Sequence, residues 1–243
     1  MKLFFFLLLL LIDISAKCQT TVILKRTKKA IYVGADSRIN IYKTDPATNT
    51  TYRDTGSMCK IWTNGKIGCA VIGMYITQSK EEAITACNKY ASFEEITNKY
   101  ANSFALFIRD RLTESRQLDS NYFSQLLNDN SPNFCQTFFF GKNADSLISY
   151  IVQFKVIFDN NNQVQVNWHI WQKDLLYAGH IKEIKDTVEK SKIWRKEKKI
   201  PKTIEALIKI ESIANPAWVG GSTDIIKVTR KKIKWLQKKP MCD

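Results

Sequence analysis

Thr20 and Asp36 are the two residues whose types and spacing suggest chemistry. Thr20 precedes a β-branched run over Thr21 to Lys25, which is followed by a polar turn over Arg26 to Lys29 and a second apolar run over Ala30 to Val33. These features predict a β-hairpin. Antiparallel pairing brings the outer ends of a hairpin together, so Asp36 should lie close to Thr20. If cleavage frees Thr20 as an N-terminus, its amine can act as base for its own hydroxyl.

The stretch from Gln19 to Arg38 resembles the start of a proteasome β-type subunit, in the N-terminal nucleophile (Ntn) hydrolase superfamily. The matching residues are Thr20-Thr21 and Gly34-Ala35-Asp36-Ser37-Arg38. The step of sixteen residues from Thr20 to Asp36 is the one that this family uses, with no gap. The resemblance implies a threonine-type amide or peptide hydrolase. Its nucleophile would be Thr20, oriented by Asp36, with Arg38 as an accessory candidate.

Two further positions match the catalytic site of that family. Lys60 begins a hairpin with a turn at Asn64-Gly65 and corresponds to the family's catalytic lysine, while Gly73 ends the hairpin and corresponds to its oxyanion-hole glycine. A buried cation beside a threonine helps proton movement. A glycine N–H lets the backbone approach a developing oxyanion closely. Without the resemblance, Lys60 is better explained as one of many exposed strand lysines.

Other positions depart from the family's pattern. An aspartate and a serine that organise the family's nucleophile correspond here to Pro216 and Val219, just before Gly220-Gly221. His180 stands near the place of a further serine, and it is either a substitute proton carrier or a histidine at the start of a helix. Removing the supports of a catalytic unit can remove most of its rate.

These departures keep two alternatives open. The first is a catalytically inactive Ntn-fold protein kept for binding or assembly, with Thr20 blocked by Gln19. The second is a cysteine amidohydrolase that uses Cys18 as its N-terminal nucleophile, although the spacing to Asp36 argues against it.

The elements that must position these residues follow in the order strands, two helices, strands, two helices, strands. A chain of 243 residues suits one substantial core better than two domains. The order predicts an α+β fold, a four-layer αββα sandwich of two antiparallel sheets with helix pairs outside, and the resemblance implies the same for residues 20–243. The expected elements after Arg38 are a strand from Ile39, a loop or extended hairpin over Lys43 to Thr55, helices from Ser79 and Phe93, strands over Phe134 to Phe140, Leu147 to Phe158 and Val164 to Trp171, helices from Ile181 and Pro201, and strands over Asp224 to Thr229 and Ile233 to Leu236.

Apolar spacing predicts the buried faces of two of these helices. In the helix from Phe93 the inward residues should be Ile96, Tyr100, Phe104, Phe107, Ile108 and Leu112. In the helix from Pro201 they should be Ile204, Leu207, Ile208 and Ile213.

Residues 1–19 have the features of a signal peptide with a possible short pro-residue. Lys2 precedes a ten-residue apolar run from Leu3 to Ile12, which is too short to span a bilayer as a helix, and the small residues Ser15-Ala16 follow. The protein is therefore expected to be exported, to a periplasm or the cell exterior. Cleavage after Ala16 or Cys18 fits, and Lys17 argues against lipidation of Cys18.

Cysteine usage predicts few bridges and no metal site. Cutting after Cys18 leaves an odd number of cysteines, so one or two disulfides can form but their pairing is open. There is no CxxC motif, and His169 and His180 stand eleven residues apart. Neither a metal nor another cofactor is expected.

The net charge of +14 raises the question of acidic partners. The lysines concentrate in Lys182–Lys202 and Lys227–Lys239, but both segments also carry apolar residues at structural spacing. They are better explained as solvated faces of amphipathic elements than as a nucleic-acid site, with contact to an anionic surface as the remaining alternative. The expected partners are a peptide or amide substrate and, because the resembled family assembles into rings, further copies of the chain.

Overall fold

A computed structural model describes residues 20–45, 50–118, 134–143, 146–240 and 242, and residues 120, 121, 123, 124 and 127 between them. The predicted signal peptide, residues 1–19, lies outside the described residues. The described part mixes α-helices with antiparallel sheets, in agreement with the general α+β prediction. None of its helices has the length and apolar character needed to cross a membrane.

The described part of the chain contains twelve strands and four α-helices. The strands are β1 (Thr21–Arg26), β2 (Ala30–Ala35), β3 (Arg38–Asp45), β4 (Thr50–Ser57), β5 (Ile61–Thr63), β6 (Ile67–Gly73), β7 (Cys135–Asn143), β8 (Ser146–Phe158), β9 (Val164–Trp171), β10 (Leu175–Gly179), β11 (Asp224–Thr229) and β12 (Ile233–Gln237). The helices are α1 (Ile76–Lys89), α2 (Phe93–Leu118), α3 (Lys185–Glu189) and α4 (Ile200–Ala214), with 3-10 turns at Ser191–Trp194 and Glu197–Lys199.

The strands form two five-stranded sheets and one hairpin. The first sheet has the order β10-β1-β2-β11-β12, and the second has the order β5-β6-β7-β8-β9. The hairpin of β3 and β4 stands apart as a two-stranded sheet, so the segment expected to be a loop or extended hairpin is a hairpin.

The β1–β2 hairpin positions the candidate nucleophile. Its turn is held by the Thr27 hydroxyl, which accepts hydrogen bonds from the backbone N–H groups of Lys29 at 3.2 Å and Ala30 at 3.0 Å. The register pairs Val22 with Ala35, and the Asp36 N–H donates to the Thr21 carbonyl at 3.2 Å. The residues just outside the two strands are therefore neighbours.

Three apolar clusters hold the sheets and helices together. One joins the two five-stranded sheets and includes Val22, Leu24, Val33, Ala70, Ile72, Phe138 and Ile226. A second joins the β6–β9 sheet to α1 and α2 and includes Tyr100, Phe104, Ile108, Phe139 and Phe154. The third joins the β1–β2 strands to α3 and α4 and includes Ile23, Tyr32, Val188, Ile204 and Leu207.

Several predicted boundaries differ from the structure. Helix α1 begins at Ile76 rather than Ser79, and the Ser79 hydroxyl is buried 2.7 Å from the Tyr100 hydroxyl. No continuous helix starts at Ile181, because α3 spans only five residues and short 3-10 turns follow it. Strand β10 was not expected.

One predicted core residue is exposed. Ile213 is 72% exposed, whereas Ile204, Leu207 and Ile208 are buried as predicted. Ile213 lies nine positions after Ile204, which at 3.6 residues per turn places it on the opposite side of α4. The stripe predicted for α2 packs in the core, with Phe107 partly buried against it.

Candidate active site

The Asp36 carboxylate is buried where β2 ends, and it accepts hydrogen bonds from three backbone N–H groups. Its Oδ1 accepts from Thr21 N at 2.8 Å, and its Oδ2 accepts from Gly220 N at 3.1 Å and Arg38 N at 3.2 Å. Thr20 and Asp36 have no exposed surface. The carboxylate thus ties the start of β1 to Gly220, four residues before β11.

The Lys60 ammonium connects the candidate nucleophile to this carboxylate. Its Nζ donates to Thr20 Oγ1, to Asp36 Oδ1 at 3.1 Å and to the Arg38 carbonyl at 2.5 Å. Lys60 is completely buried just before β5, where its own carbonyl accepts from Val71 N at 3.2 Å. The structure therefore brings the three residues together through Lys60, which contacts both Thr20 and Asp36.

Burial changes the proton affinity of Lys60. Loss of hydration lowers the pKa of its ammonium from 10.5 to about 8, because the charge of Asp36 only partly offsets the cost of burial. Near pH 8, about half of the molecules would carry a neutral amine at this position. A neutral amine bonded to the Thr20 hydroxyl is able to accept its proton.

Backbone contacts with β10 hold Thr20 in place. The His180 N–H donates to the Thr20 carbonyl at 2.7 Å, and the Thr21 hydroxyl donates to the His180 carbonyl. Gly179 has a φ of +91°, and a Cβ at this position would overlap the Thr20 carbonyl oxygen. Gly179 therefore permits the close approach of β10 to Thr20.

The His180 side chain belongs to a separate buried pair. Its Nδ1 lies 2.6 Å from Glu211 Oε1, and Glu211 also accepts hydrogen bonds from Asn215 Nδ2 at 2.6 Å and Glu183 N at 3.2 Å. His180 does not start a helix, because it follows β10 and α3 begins only at Lys185. The contacts to Thr20 and Thr21 come from its backbone.

Glu211 was missed by the sequence reasoning, although the sequence carries a signal for it. Glu211 has no exposed surface and lies seven positions after Ile204, on the buried side of α4. A carboxylate within an apolar helical stripe must find a partner. His180 is that partner.

The positions that depart from the family's pattern contribute backbone or apolar contacts. The Arg38 guanidinium donates to the Pro216 carbonyl, and Val219 is buried in the cluster between β1–β2 and α4. The polar contact from this segment to Asp36 is the Gly220 N–H. Ser37, beside Asp36, has a buried hydroxyl without a hydrogen-bond partner among the described residues.

Gly73 lies in the wall of a cleft beside the site. It ends β6 with a φ of +99°, and a Cβ there would lie 2.5 Å from the Phe134 carbonyl oxygen, so only glycine fits. The cleft has a volume of about 540 Å³ and is formed by the start of β3, the end of β6 and the first turns of α1. It begins next to Arg38, whose carbonyl is bonded to Lys60.

A disulfide lies next to Lys60. It joins Cys59 to Cys242, while Cys69, Cys87 and Cys135 are buried and take no part in a disulfide. Among the described residues, Cys59, Cys242 and Asp224 form the one close group of metal-ligating residue types, but both sulfurs are used in the disulfide.

No protein-family model matches this chain, and the search of curated proteins found no match either.

Proposed function

We propose that this protein is an exported threonine-type hydrolase of amide or peptide bonds, similar to a proteasome β-type subunit. The observation that carries the proposal is the fully buried Lys60 ammonium, which donates to both Thr20 Oγ1 and the Asp36 carboxylate. A buried ammonium bonded to a threonine hydroxyl is uncommon in proteins, because removing a charge from water is costly. It is typical of sites where proton affinity is tuned.

In the proposed reaction, cleavage before Thr20 frees its α-amine. The Thr20 hydroxyl loses its proton to that amine, helped by Lys60, and Oγ1 attacks the substrate carbonyl carbon. The Gly73 N–H stabilises the developing oxyanion. The proton then passes to the leaving amine, and water hydrolyses the ester on Thr20 to restore the enzyme. Asp36 holds the Lys60 charge and fixes the backbone at Thr21 throughout.

We further propose that the sheets and helices form a four-layer αββα sandwich. The three apolar clusters support an order of helices, sheet, sheet and helices, since one cluster joins the two large sheets and the others cover their remaining faces. That order is the one that the proposed four-layer αββα sandwich requires.

Export is supported by the disulfide between Cys59 and Cys242, because such bonds persist mainly in oxidising compartments. It agrees with the signal peptide predicted for residues 1–19.

Two measurements test the proposal: the identity of the first residue of the mature protein, and the peptide cleavage by Thr20 variants. We expect intact mass and terminal sequencing of the secreted protein to give Thr20 as its first residue, and we expect this form to cleave fluorogenic peptides. Thr20→Ala should abolish cleavage, whereas Thr20→Ser should retain part of it and serve as the matched control. A protein that starts at Thr20 and cleaves no peptide or amide would overturn the proposal.

The alternative of an inactive binding or assembly protein is favoured by one observation. Pro216 and Val219 supply a carbonyl and an apolar side chain where the resembled family has polar supports. This alternative predicts a mature N-terminus at Gln19 or earlier and no difference between the native protein and Thr20→Ala. A start at Cys18 would instead support the cysteine amidohydrolase.

A further inference from the structure

We infer that the cleft beside Gly73 selects substrates with a basic side chain next to the scissile bond, and that Glu81 is its anionic contact. This inference rests on the proposed function, because the cleft matters only if Thr20 attacks a carbonyl held near Gly73. It concerns which substrates bind, rather than how the bond is cleaved.

The cleft offers an apolar path from the site. The hydrophobic residues along it are Ile39, Ile41, Met74, Tyr75 and Ile76. Tyr75 has a φ of +51° and packs its ring against Phe107 and Phe134, so the backbone turn that shapes the cleft is firmly held. An extended aliphatic stem would be desolvated along these walls.

The polar groups of the cleft are suited to a cation with several donors. Glu81 is the only charged side chain among the described residues that line it. Asn40 lines the same cleft, and its Oδ1 is buried without a hydrogen-bond partner in the described part, while its Nδ2 donates to the Ala217 carbonyl at 3.4 Å. A buried acceptor without a partner is costly until a ligand supplies a donor.

The neighbouring lysine does not neutralise this cleft. Lys80 Nζ donates to the Cys59 carbonyl at 2.7 Å, and Lys80 is not among the residues that line the cleft. Although the chain has a net charge of +14, the described residues that line this cleft include one acidic side chain and no basic one. A lysine or arginine side chain combines the aliphatic stem, the charge and the donors that these groups require.

The first test uses positional peptide libraries with the mature protein that begins at Thr20. Cleavage should be fastest for peptides with arginine or lysine beside the scissile bond. Glu81→Gln should lower the preference for arginine over leucine about fivefold, the size expected for one exposed ion pair. The Glu81→Lys variant should instead cleave peptides with glutamate beside the scissile bond fastest. Glu94→Gln removes the same charge from an exposed position outside the cleft and should leave the preference unchanged.

The second test decides the inference without catalysis. Calorimetric titration of Thr20→Ala with three peptides, carrying arginine, leucine or glutamate at the selected position, should give the tightest binding for arginine. Adding Glu81→Gln should remove the advantage. Equal affinity for the three peptides, or a preference unaffected by Glu81→Gln, would overturn the inference while leaving the proposed hydrolase intact. If the mature native protein cleaves no peptide but Thr20→Ala still binds the arginine peptide most tightly, the proposed hydrolase is overturned and the binding cleft is supported.

Discussion

The Lys60 ammonium is costly to bury, because it gives up all contact with water. Its hydrogen bonds to Thr20, Asp36 and the Arg38 carbonyl replace part of the lost hydration. The remaining cost appears as the pKa of about 8, below the ordinary 10.5. The native state therefore holds this proton less firmly than the unfolded chain does.

This difference predicts how stability depends on pH. Between about pH 8 and 10.5 the unfolded chain binds more protons at Lys60 than the native protein, so the free energy of unfolding contributed by Lys60 rises with pH in that window. The expected gain is on the order of 3 kcal/mol. Urea unfolding of the native protein and Lys60→Met across this range would measure it.

The native protein and Lys60→Met are compared by how steeply their unfolding free energy changes with pH, rather than by their absolute stabilities. Lys60→Met leaves Asp36 without its cation and should be less stable at every pH. Lys66→Met, in the exposed turn after β5, is the control and should keep the slope of the native protein. Equal slopes for the native protein and Lys60→Met would contradict the lowered pKa.

Gly179 should be intolerant of any side chain. Gly179→Ala would force β10 away from the Thr20 carbonyl, with an expected loss of about 2 kcal/mol or more in unfolding free energy and loss of peptide cleavage. Gly65→Ala is the matched control, since Gly65 has a φ of +87° but open space around it. Thermal unfolding and cleavage assays on both variants would separate backbone strain from displacement of Thr20.

The contacts of the site could be predicted only in part from the residues. The hairpin pattern alone predicts that Asp36 returns to Thr20, because register and distance are local there. The position of Lys60 beside Thr20 could be predicted only through the resemblance, because nothing in its own segment distinguishes it from the other lysines. The Gly220 N–H bond to Asp36 spans 184 residues, and no local rule anticipates it.

At the scale of elements, the segment before β5 is joined to the chain's distant C-terminal region. The Cys59–Cys242 disulfide closes a separation of 183 residues. Beside it, Lys239 forms an ion pair with buried Asp224 at 3.0 Å and donates to the Met58 carbonyl at 3.2 Å. Lys60 follows Cys59 directly, so these contacts fix the strand end from which the lysine extends.

Loss of this bridge should lower stability considerably. In the chain-entropy account, opening a loop closed over 183 residues costs about 5 kcal/mol. The native protein should therefore unfold at a lower temperature when a dithiol reductant is added. The Cys59→Ala, Cys242→Ala double variant provides the control, because reductant should not change its unfolding temperature. A native protein whose melting is insensitive to reductant would contradict this prediction.

Strands and helices could be predicted where their apolar and polar residues follow a clear period. Strand β9 matches its predicted bounds because apolar and polar residues alternate after the Asn160-Asn161-Asn162 turn. Strand β10 was missed because its five residues are too few to show a period, and they gain their partners from β1. The segment after Ile181 is rich in lysine but holds few apolar residues, so it forms short turns rather than a long helix.

At the scale of the whole molecule, the exposed side of α4 is the place to look for self-association. Ile210 is 49% exposed and Ile213 is 72% exposed, and their spacing of three residues puts them on one side of the helix. Two exposed apolar side chains on one side of a helix are a candidate contact for another protein surface. These two residues are therefore our candidate contact for the homo-oligomer that the resemblance implies, which stays a prediction.

Light scattering coupled to size exclusion should therefore give a mass that is a multiple of the mature chain. Replacing Ile210 and Ile213 by lysine should shift the protein toward the monomer. Leu236→Lys, at an exposed apolar position on β12, should leave the assembly unchanged. A native protein that is monomeric at micromolar concentration would contradict the prediction.

The bridge between Cys59 and Cys242 also sets an order of events in biosynthesis. A ribosome that has just added Cys59 must add 183 further residues before its partner Cys242 exists. The segment that carries Lys60 therefore gains this covalent anchor only after Cys242 has been synthesised and oxidised, so the hydrogen bonds of Lys60 to Thr20 and Asp36 receive their full support late in biosynthesis.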